Sequence, residues 1–117
     1  MKAKGFTLVE VLIALSVLAI SLMAGFRASG AMTQNAERQW QMLLAQMCVD
    51  NTLTAITLMN RYPDIGVQQL SCPQAELPLR VTQSILSTPN PSFRRVDVQV
   101  FNDNIPLMRV SALISRY

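Results

Sequence analysis

The sequence contains no histidine, and it therefore lacks the commonest general base and the commonest metal ligand of proteins. It also has no glycine-rich phosphate loop and no Gly-x-Ser-x-Gly nucleophile elbow. Its seven acidic residues are scattered along the chain, with no pair at the spacing of a metal or glycosidase site. These features argue against an enzyme, a bound metal and a cofactor.

Positive charge is also sparse. The net charge is +3, no lysine follows Lys4, and Arg94 and Arg95 form the only adjacent basic pair. Because no basic stripe is interleaved with aromatic residues, nucleic acid is not a predicted partner. In a strand, Arg94 and Arg95 project from opposite faces, so we expect them to be ordinary solvated side chains.

A long apolar run dominates the first part of the chain. It extends from Phe6 to Phe26, and Glu10 is its only charged residue. As a helix this run is about 30 Å long, which matches the hydrocarbon thickness of a bilayer. Lys2 and Lys4 precede the run, so the positive-inside rule predicts a cytoplasmic N-terminus and export of the remaining chain.

Glu10 makes this run unusual. A carboxylate at the centre of a membrane helix costs about 2.5–3.5 kcal/mol, so Glu10 is a candidate functional residue unless it snorkels to the headgroups. A secretory signal peptide explains the basic start and the small residues Ala28-Ser29-Gly30, but its apolar region usually has only about 7–15 residues. A plain single-pass anchor explains the length of the run and leaves Glu10 unexplained.

A third interpretation rests on the stretch Lys4-Gly5-Phe6-Thr7-Leu8-Val9-Glu10. This stretch resembles the class III leader of type IV pilins and type II secretion pseudopilins. The resemblance implies that a prepilin peptidase/N-methyltransferase cuts between Gly5 and Phe6 and methylates the new amine of Phe6. It also implies that Glu10 is a charge used in assembly, paired with the amine of a docking neighbour. Since Glu10 lies on the helix face of Phe6, an intrachain contact with that amine is the alternative.

Residues 31–61 contain no proline or glycine and carry apolar residues at helical spacing. Tyr62-Pro63-Asp64 ends the predicted helix, since the residue before a proline disfavours helical geometry. One apolar stripe is the candidate surface for a partner helix: Ala36, Trp40, Leu43 and Met47. The methionines of this region are predicted to pack in the core: Met32, Met42, Met47 and Met59.

The C-terminal half predicts a small sheet. Residues 63–78 are predicted to form a loop, because proline and glycine interrupt them repeatedly. Three segments with period-two alternation follow: Leu79–Ser87, Phe93–Phe101 and Leu107–Arg116. A long helix followed by an antiparallel meander predicts an α+β fold.

Two cysteines, Cys48 and Cys72, cannot form a zinc site by themselves. They are either a disulfide or two buried thiols. We favour the disulfide, since an exported thiol meets an oxidising compartment.

The predicted layout, a protruding helix packed on a C-terminal antiparallel sheet, is that of the pilin-like family. The turn Thr88-Pro89-Asn90-Pro91 and the strand Phe93–Val100 are similar to the C-terminal signature of the I-class minor pseudopilin of type II secretion. This resemblance implies partners: the J- and K-class minor pseudopilins, the major pseudopilin and the inner-membrane assembly platform. It implies a tip complex that primes the pseudopilus for export of folded proteins across the outer membrane.

The resemblance divides the chain into a leader, a membrane helix, a periplasmic continuation of that helix, and a periplasmic loop with the sheet. The respective ranges are 1–5, 6–26, 27–62 and 63–117. Two alternatives stay open on the sequence. One is a minor pilin of a type IV pilus or DNA-uptake system, and the other is a periplasmic binding domain released near Ala31 by signal peptidase.

Overall fold

A computed structural model describes residues 2–116, which form one helix followed by four strands. The elements are α1 (Leu8–Leu58), β1 (Gly66–Ser71), β2 (Leu79–Ser87), β3 (Phe93–Asn102) and β4 (Ile105–Ser115). This architecture confirms the predicted α+β fold, a long N-terminal helix with a C-terminal antiparallel sheet. Met1 of the predicted leader and Tyr117 at the end of the predicted sheet region lie outside the described residues.

The chain divides into two compact units, Met1–Arg38 and Gln39–Tyr117. In the first unit, all residues from Lys2 to Arg38 are exposed. The second unit contains the later turns of α1 and the whole sheet, and the buried core lies there.

The sheet is an antiparallel meander with the strand order β1-β2-β3-β4. A tight turn at Asp103 connects β3 to β4, where Asn102 pairs with Ile105 and Asp103 has a φ of 53°. Aspartate tolerates this left-handed conformation better than most residues, which explains its place in the turn. The register of β3 and β4 shifts between Val100 and Phe101.

The core of the second unit forms between one face of α1 and one face of the sheet. Buried helix residues recur at helical spacing, and the buried apolar residues of β2 and β3 fall at alternate positions. The buried apolar residues are Leu44, Ala45, Cys48, Val49 and Ile56 from α1, with Leu79, Val81, Ile85, Val96, Val98 and Val100 from the sheet. Thr52 is also buried, and its hydroxyl donates to the carbonyl of Cys48 at 2.8 Å, so its polar atom is satisfied.

The helix ends earlier than the sequence predicts. Its last residue is Leu58, whereas the helical pattern extends to Arg61. Asn60 has a φ of 49°, the left-handed conformation that commonly terminates helices. The asparagine therefore stops the helix before Pro63 can.

The prediction of a loop over residues 63–78 is wrong for Gly66–Ser71, which form β1. All six residues of β1 are exposed, so the strand has no buried face and no alternating pattern. Its backbone pairs with β2 from Gly66, opposite Ile85, to Ser71, opposite Arg80. Backbone pairing with β2 forms this strand, and no pattern in its own sequence predicts it.

The prediction that the helix methionines pack in the core is also wrong for three of the four. Met32, Met47 and Met59 are exposed, and Met42 is half-buried. In the second unit, the positions that face the sheet belong to Leu44, Cys48 and their neighbours at helical spacing, so Met47 and Met59 fall outside that face.

Candidate assembly site

The start of α1 is fixed by a reciprocal pair of hydrogen bonds between Thr7 and Glu10. The Thr7 amide N–H donates to Glu10 Oε2 at 3.0 Å, and the Glu10 amide N–H donates to Thr7 Oγ1 at 3.2 Å. This is a capping box, in which two amide groups that lack helical partners are satisfied by side chains. The carboxylate also lies at the positive end of the helix dipole. Glu10 therefore has a structural role within its own chain.

Gly5 and Phe6 lie just before this cap and are exposed. A Cβ atom added at Gly5 meets no other atom within 4 Å, and Gly5 does not have a positive φ. The fold therefore gives no reason for glycine at this position. Phe6 is 89% exposed, so the peptide bond between the two residues is accessible.

In the described residues, α1 is the one helix that is long and apolar enough to cross a membrane. Its most apolar window has a mean hydropathy of 2.4 and no buried residues. Large side chains such as Leu8, Ile20 and Phe26 are each more than 70% exposed. An apolar surface of this extent requires an apolar environment.

In the second unit, α1 also exposes apolar side chains on the face turned away from the sheet. Trp40 is 52% exposed, Leu43 is 55% exposed and Met47 is 46% exposed. These three residues recur at helical spacing, so they form one surface. We call them the Trp40 stripe. Ala36, the fourth residue of the predicted stripe, belongs to the first unit and is exposed there.

The structure joins Cys48 to Cys72 by a disulfide with an S–S distance of 2.10 Å. Cys48 is fully buried on the sheet-facing side of α1, and Cys72 directly follows β1. The Cys72 amide N–H donates to the carbonyl of Leu79 at 2.9 Å, which holds the connection from β1 to β2 against the start of β2.

Removing this disulfide is expected to destabilise the second unit substantially. The bond closes a loop with a sequence separation of 24, and cross-linking a loop of this size adds about 3–4 kcal/mol. We expect the Cys48→Ala/Cys72→Ala variant to lose about 3 kcal/mol in the free energy of opening, measured by hydrogen exchange of β3 amides. Reduction of the unaltered chain breaks the covalent bond but keeps both cysteine side chains, so it separates the effect of the bond from that of the lost side-chain volume. Equal protection in the oxidised and reduced chains would contradict the expectation.

The C-terminal signature turn is attached to the end of α1 through Tyr62. The Tyr62 hydroxyl donates to the carbonyl of Pro91 at 3.0 Å, and the Arg94 guanidinium lies 4.2 Å from the centre of the Tyr62 ring. Arg94 is half-buried, so the expectation of an ordinary solvated side chain is wrong for this residue. The prediction that Arg94 and Arg95 project from opposite faces is confirmed, because Arg95 joins a cluster on the outer face of the sheet.

That outer cluster is centred on Asp97, whose side chain is 5% exposed. Arg95 Nε donates to Asp97 Oδ1 at 2.8 Å, Arg109 Nη2 donates to Oδ2 at 3.0 Å, and the Ser111 hydroxyl donates to Oδ1 at 2.6 Å. The Ser111 hydroxyl, followed by the two guanidinium groups, lowers the pKa of Asp97 from 3.8 to about 2, although burial acts in the opposite direction. The carboxylate thus links β3 to β4 in its charged form.

Asp97→Asn is expected to cost about 2 kcal/mol of stability at neutral pH. The folded-state pKa lies below the unfolded value, so the folded state binds fewer protons and stability rises with pH between about pH 2 and pH 4. Urea unfolding of the unaltered chain should show this slope, and Asp97→Asn should reduce it by the contribution of one carboxylate. Asp64→Asn is the matched control, because the Arg61–Asp64 pair is 3.7 Å apart and both side chains are more than 80% exposed. An unchanged slope in Asp97→Asn would exclude this role.

Sequence reasoning missed two sets of functional contacts. Asp97 lies between Val96 and Val98, whose side chains point to the core, so its own side chain points to the outer face of the sheet. A single acidic residue at such a position of a strand indicates that it has charged partners on that outer face. The contact of Tyr62 with Pro91 joins residues that are 29 positions apart, and no local pattern predicts it.

Within residues 2–116, no group of three acidic or cysteine side chains lies close enough to hold a metal ion.

Comparisons with known proteins match both parts of the chain. A family model described as "Prokaryotic N-terminal methylation motif" matches residues 1–26, and one described as "Type II secretion system (T2SS), protein I" matches residues 40–115. A protein named Type II secretion system protein I from Klebsiella pneumoniae is 30% identical over 112 residues, which cover 96% of this chain and 93% of that protein. A protein of the same name from Pseudomonas aeruginosa is 34% identical over 99 residues, covering 85% of this chain and 77% of the relative. No solved structure gives a significant match.

A helix that begins in a methylation motif and whose later turns pack on an antiparallel sheet defines a pilin-like subunit. Within that class, the chain belongs to the type II secretion system protein I family. Its family is a structural pseudopilin family, which acts in the type II secretion pseudopilus together with other components. The methylation motif and the apolar helix together indicate a protein anchored in the inner membrane. These findings favour the pseudopilin over both alternatives left open by the sequence.

Proposed function

We propose that this chain is a minor pseudopilin that works at the tip of the pseudopilus. It associates there with the J- and K-class minor pseudopilins in a complex that primes filament assembly, and the major pseudopilin then extends the filament. The observation that carries this proposal is the Trp40 stripe, an exposed apolar surface on the helix face opposite the sheet. Exposed apolar surfaces of this kind mark interaction sites, and tryptophan is enriched at their energetic centres.

The proposal includes a topology and a maturation step. Residues 6–26 span the inner membrane with the N-terminus in the cytoplasm, and residues 27–62 and 63–117 lie in the periplasm. Prepilin peptidase removes residues 1–5, and the amine of Phe6 is methylated. The support is the basic start at Lys2 and Lys4, the exposed Gly5–Phe6 bond, and the match of residues 1–26 to the methylation motif.

The test is recovery of the tip complex from membranes. Trp40→Glu places a charge in the Trp40 stripe without touching the core, so we expect the amounts of co-purified J- and K-class minors to fall at least about tenfold. Gln69→Glu is the control, since Gln69 is exposed in β1 and does not lie on α1, and it should leave recovery unchanged. Wild-type recovery with Trp40→Glu would show that another surface joins the partners.

A further inference from the structure

Two arginines of the second unit lie against the ring of Tyr62, just beyond the end of α1, and a third lies close by. The guanidinium carbons of Arg94 and Arg116 lie 4.2 Å and 5.6 Å from the centre of the Tyr62 ring. Arg61 lines the same concavity as Tyr62 and Arg116. We call these four residues the Tyr62 cluster.

The cluster has little negative charge to balance it. Within residues 2–116, its one ion pair is Arg61 with Asp64, at 3.7 Å and highly exposed, so it contributes little. The carbonyl end of α1 adds a partial negative charge of about one half. Among the described residues, the three positive charges of the cluster are therefore incompletely compensated.

The other arginines of this unit have oxygen partners. Arg80 donates to the carbonyl of Asp103 at 2.6 Å and to Asn104 Oδ1, while Arg95 and Arg109 both donate to Asp97. By contrast, Nη1 of Arg94 is buried without a hydrogen-bond partner among the described residues. A buried charged N–H group without an acceptor is costly and calls for an explanation.

The concavity beside the Tyr62 ring measures about 320 Å³ and has two kinds of wall. The residues that line it include the polar Arg61 and Arg116 and the apolar Ile56 and Ile114. Guanidinium groups match carboxylates through paired N–H donors. The apolar wall offers contact area that a small inorganic anion cannot use.

We propose that the Tyr62 cluster binds a protein segment in which a glutamate or aspartate stands next to an apolar residue. The carboxylate is held by Arg61 and Arg116, while Arg94 keeps the Tyr62 ring in place and adds its positive charge. The apolar neighbour packs against Ile56 and Ile114. This surface is separate from the Trp40 stripe, so it gives the subunit a second contact that is selected by charge.

The test is a titration of the full chain, labelled with nitrogen-15 and held in neutral detergent micelles. The probe is the blocked peptide acetyl-Gly-Glu-Leu-Glu-Gly-amide, and acetyl-Gly-Gln-Leu-Gln-Gly-amide is its neutral control. The acidic peptide should shift the arginine Nε–H signals of Arg61, Arg94 and Arg116 in a saturable manner, with binding at least about tenfold tighter than that of the neutral peptide. Equal shifts of Arg95 and Arg109, or equal binding of both peptides, overturn the proposal.

Variants and competing ligands complete the test. Arg61→Gln/Arg116→Gln should weaken the acidic peptide about tenfold or more, whereas Arg80→Gln, an exposed arginine elsewhere on the sheet, should not. Saturation of the same signals by inorganic phosphate at the peptide's concentrations would assign the cluster to small anions and overturn the proposal. The same shifts in phosphatidylglycerol nanodiscs without peptide would assign it to a lipid surface and also overturn it. No other secretion component takes part, so the result is independent of the tip complex.

Discussion

Glu10→Gln is expected to reduce secretion at least about a hundredfold while α1 still begins at Leu8. Glutamine can replace glutamate in a capping box, so the hydrogen bond from the Thr7 amide is kept. It carries no charge, and therefore it cannot pair with the amine of a docking neighbour or with the amine at Phe6. The secreted fraction of an exoprotein in the culture medium measures the effect, and circular dichroism checks the helix.

Thr7→Val is the matched control for this experiment. It removes the hydroxyl that accepts the Glu10 amide N–H at 3.2 Å, but it keeps the shape of the side chain and the charge of Glu10. Loss of one capping bond costs about 1 kcal/mol, so secretion should fall less than about tenfold. If Glu10→Gln secretes at the wild-type level while Glu10→Ala does not, the glutamate acts as a cap and its charge has no role in assembly.

Gly5→Val is expected to stop maturation without disturbing the fold. The structure leaves open space around Gly5 and does not place it in the left-handed region, so valine fits there. The proposed need for glycine therefore lies in recognition by the peptidase. Mass spectrometry of the purified chain should find residues 1–5 still attached and no methyl group on Phe6, and secretion should fall to background.

Gly30→Val serves as the control for that substitution. Gly30 is exposed in α1 and also has open space around the position of a Cβ atom. Valine therefore fits at both positions, and the two variants differ only in whether the substitution lies at the proposed cleavage site. The Gly30→Val chain should be processed and methylated normally. A mature chain that begins at Phe6 in Gly5→Val at the wild-type yield, or that begins near Ala31 in the unaltered protein, would refute the proposed maturation.

The strands that bury one face were predictable from the sequence, and the one that does not was missed. Leu79, Val81 and Ile85 alternate with polar residues, and β2 has the bounds that this alternation predicts. Strand β1 is exposed throughout, so its sequence lacks the alternation of apolar and polar residues that marks a half-buried strand. The end of α1 was misplaced by three residues, since proline is a more visible stop signal than an asparagine in the left-handed region.

In the candidate site, too, some features were predictable from the sequence and others were not. The motif around Gly5 and Glu10 is local, so the sequence alone could single out both residues. Helical periodicity identified the Trp40 stripe as a unit, but only the packing of Leu44 and Cys48 on the sheet decides which face is free. The contacts of Asp97 depend on the register that puts Ser111 opposite it, and register is set by the whole sheet.

The disulfide has a mechanical consequence for a pseudopilin subunit. Side-chain packing between α1 and the sheet consists of van der Waals contacts, each of which contributes only about 0.1–0.2 kcal/mol per atom pair. The bond from Cys48 to Cys72 crosses this boundary inside the packed part of the helix. A load applied along α1 therefore passes through a covalent path to the segment that joins β1 and β2. We therefore expect the core valines to keep their neighbours under such a load.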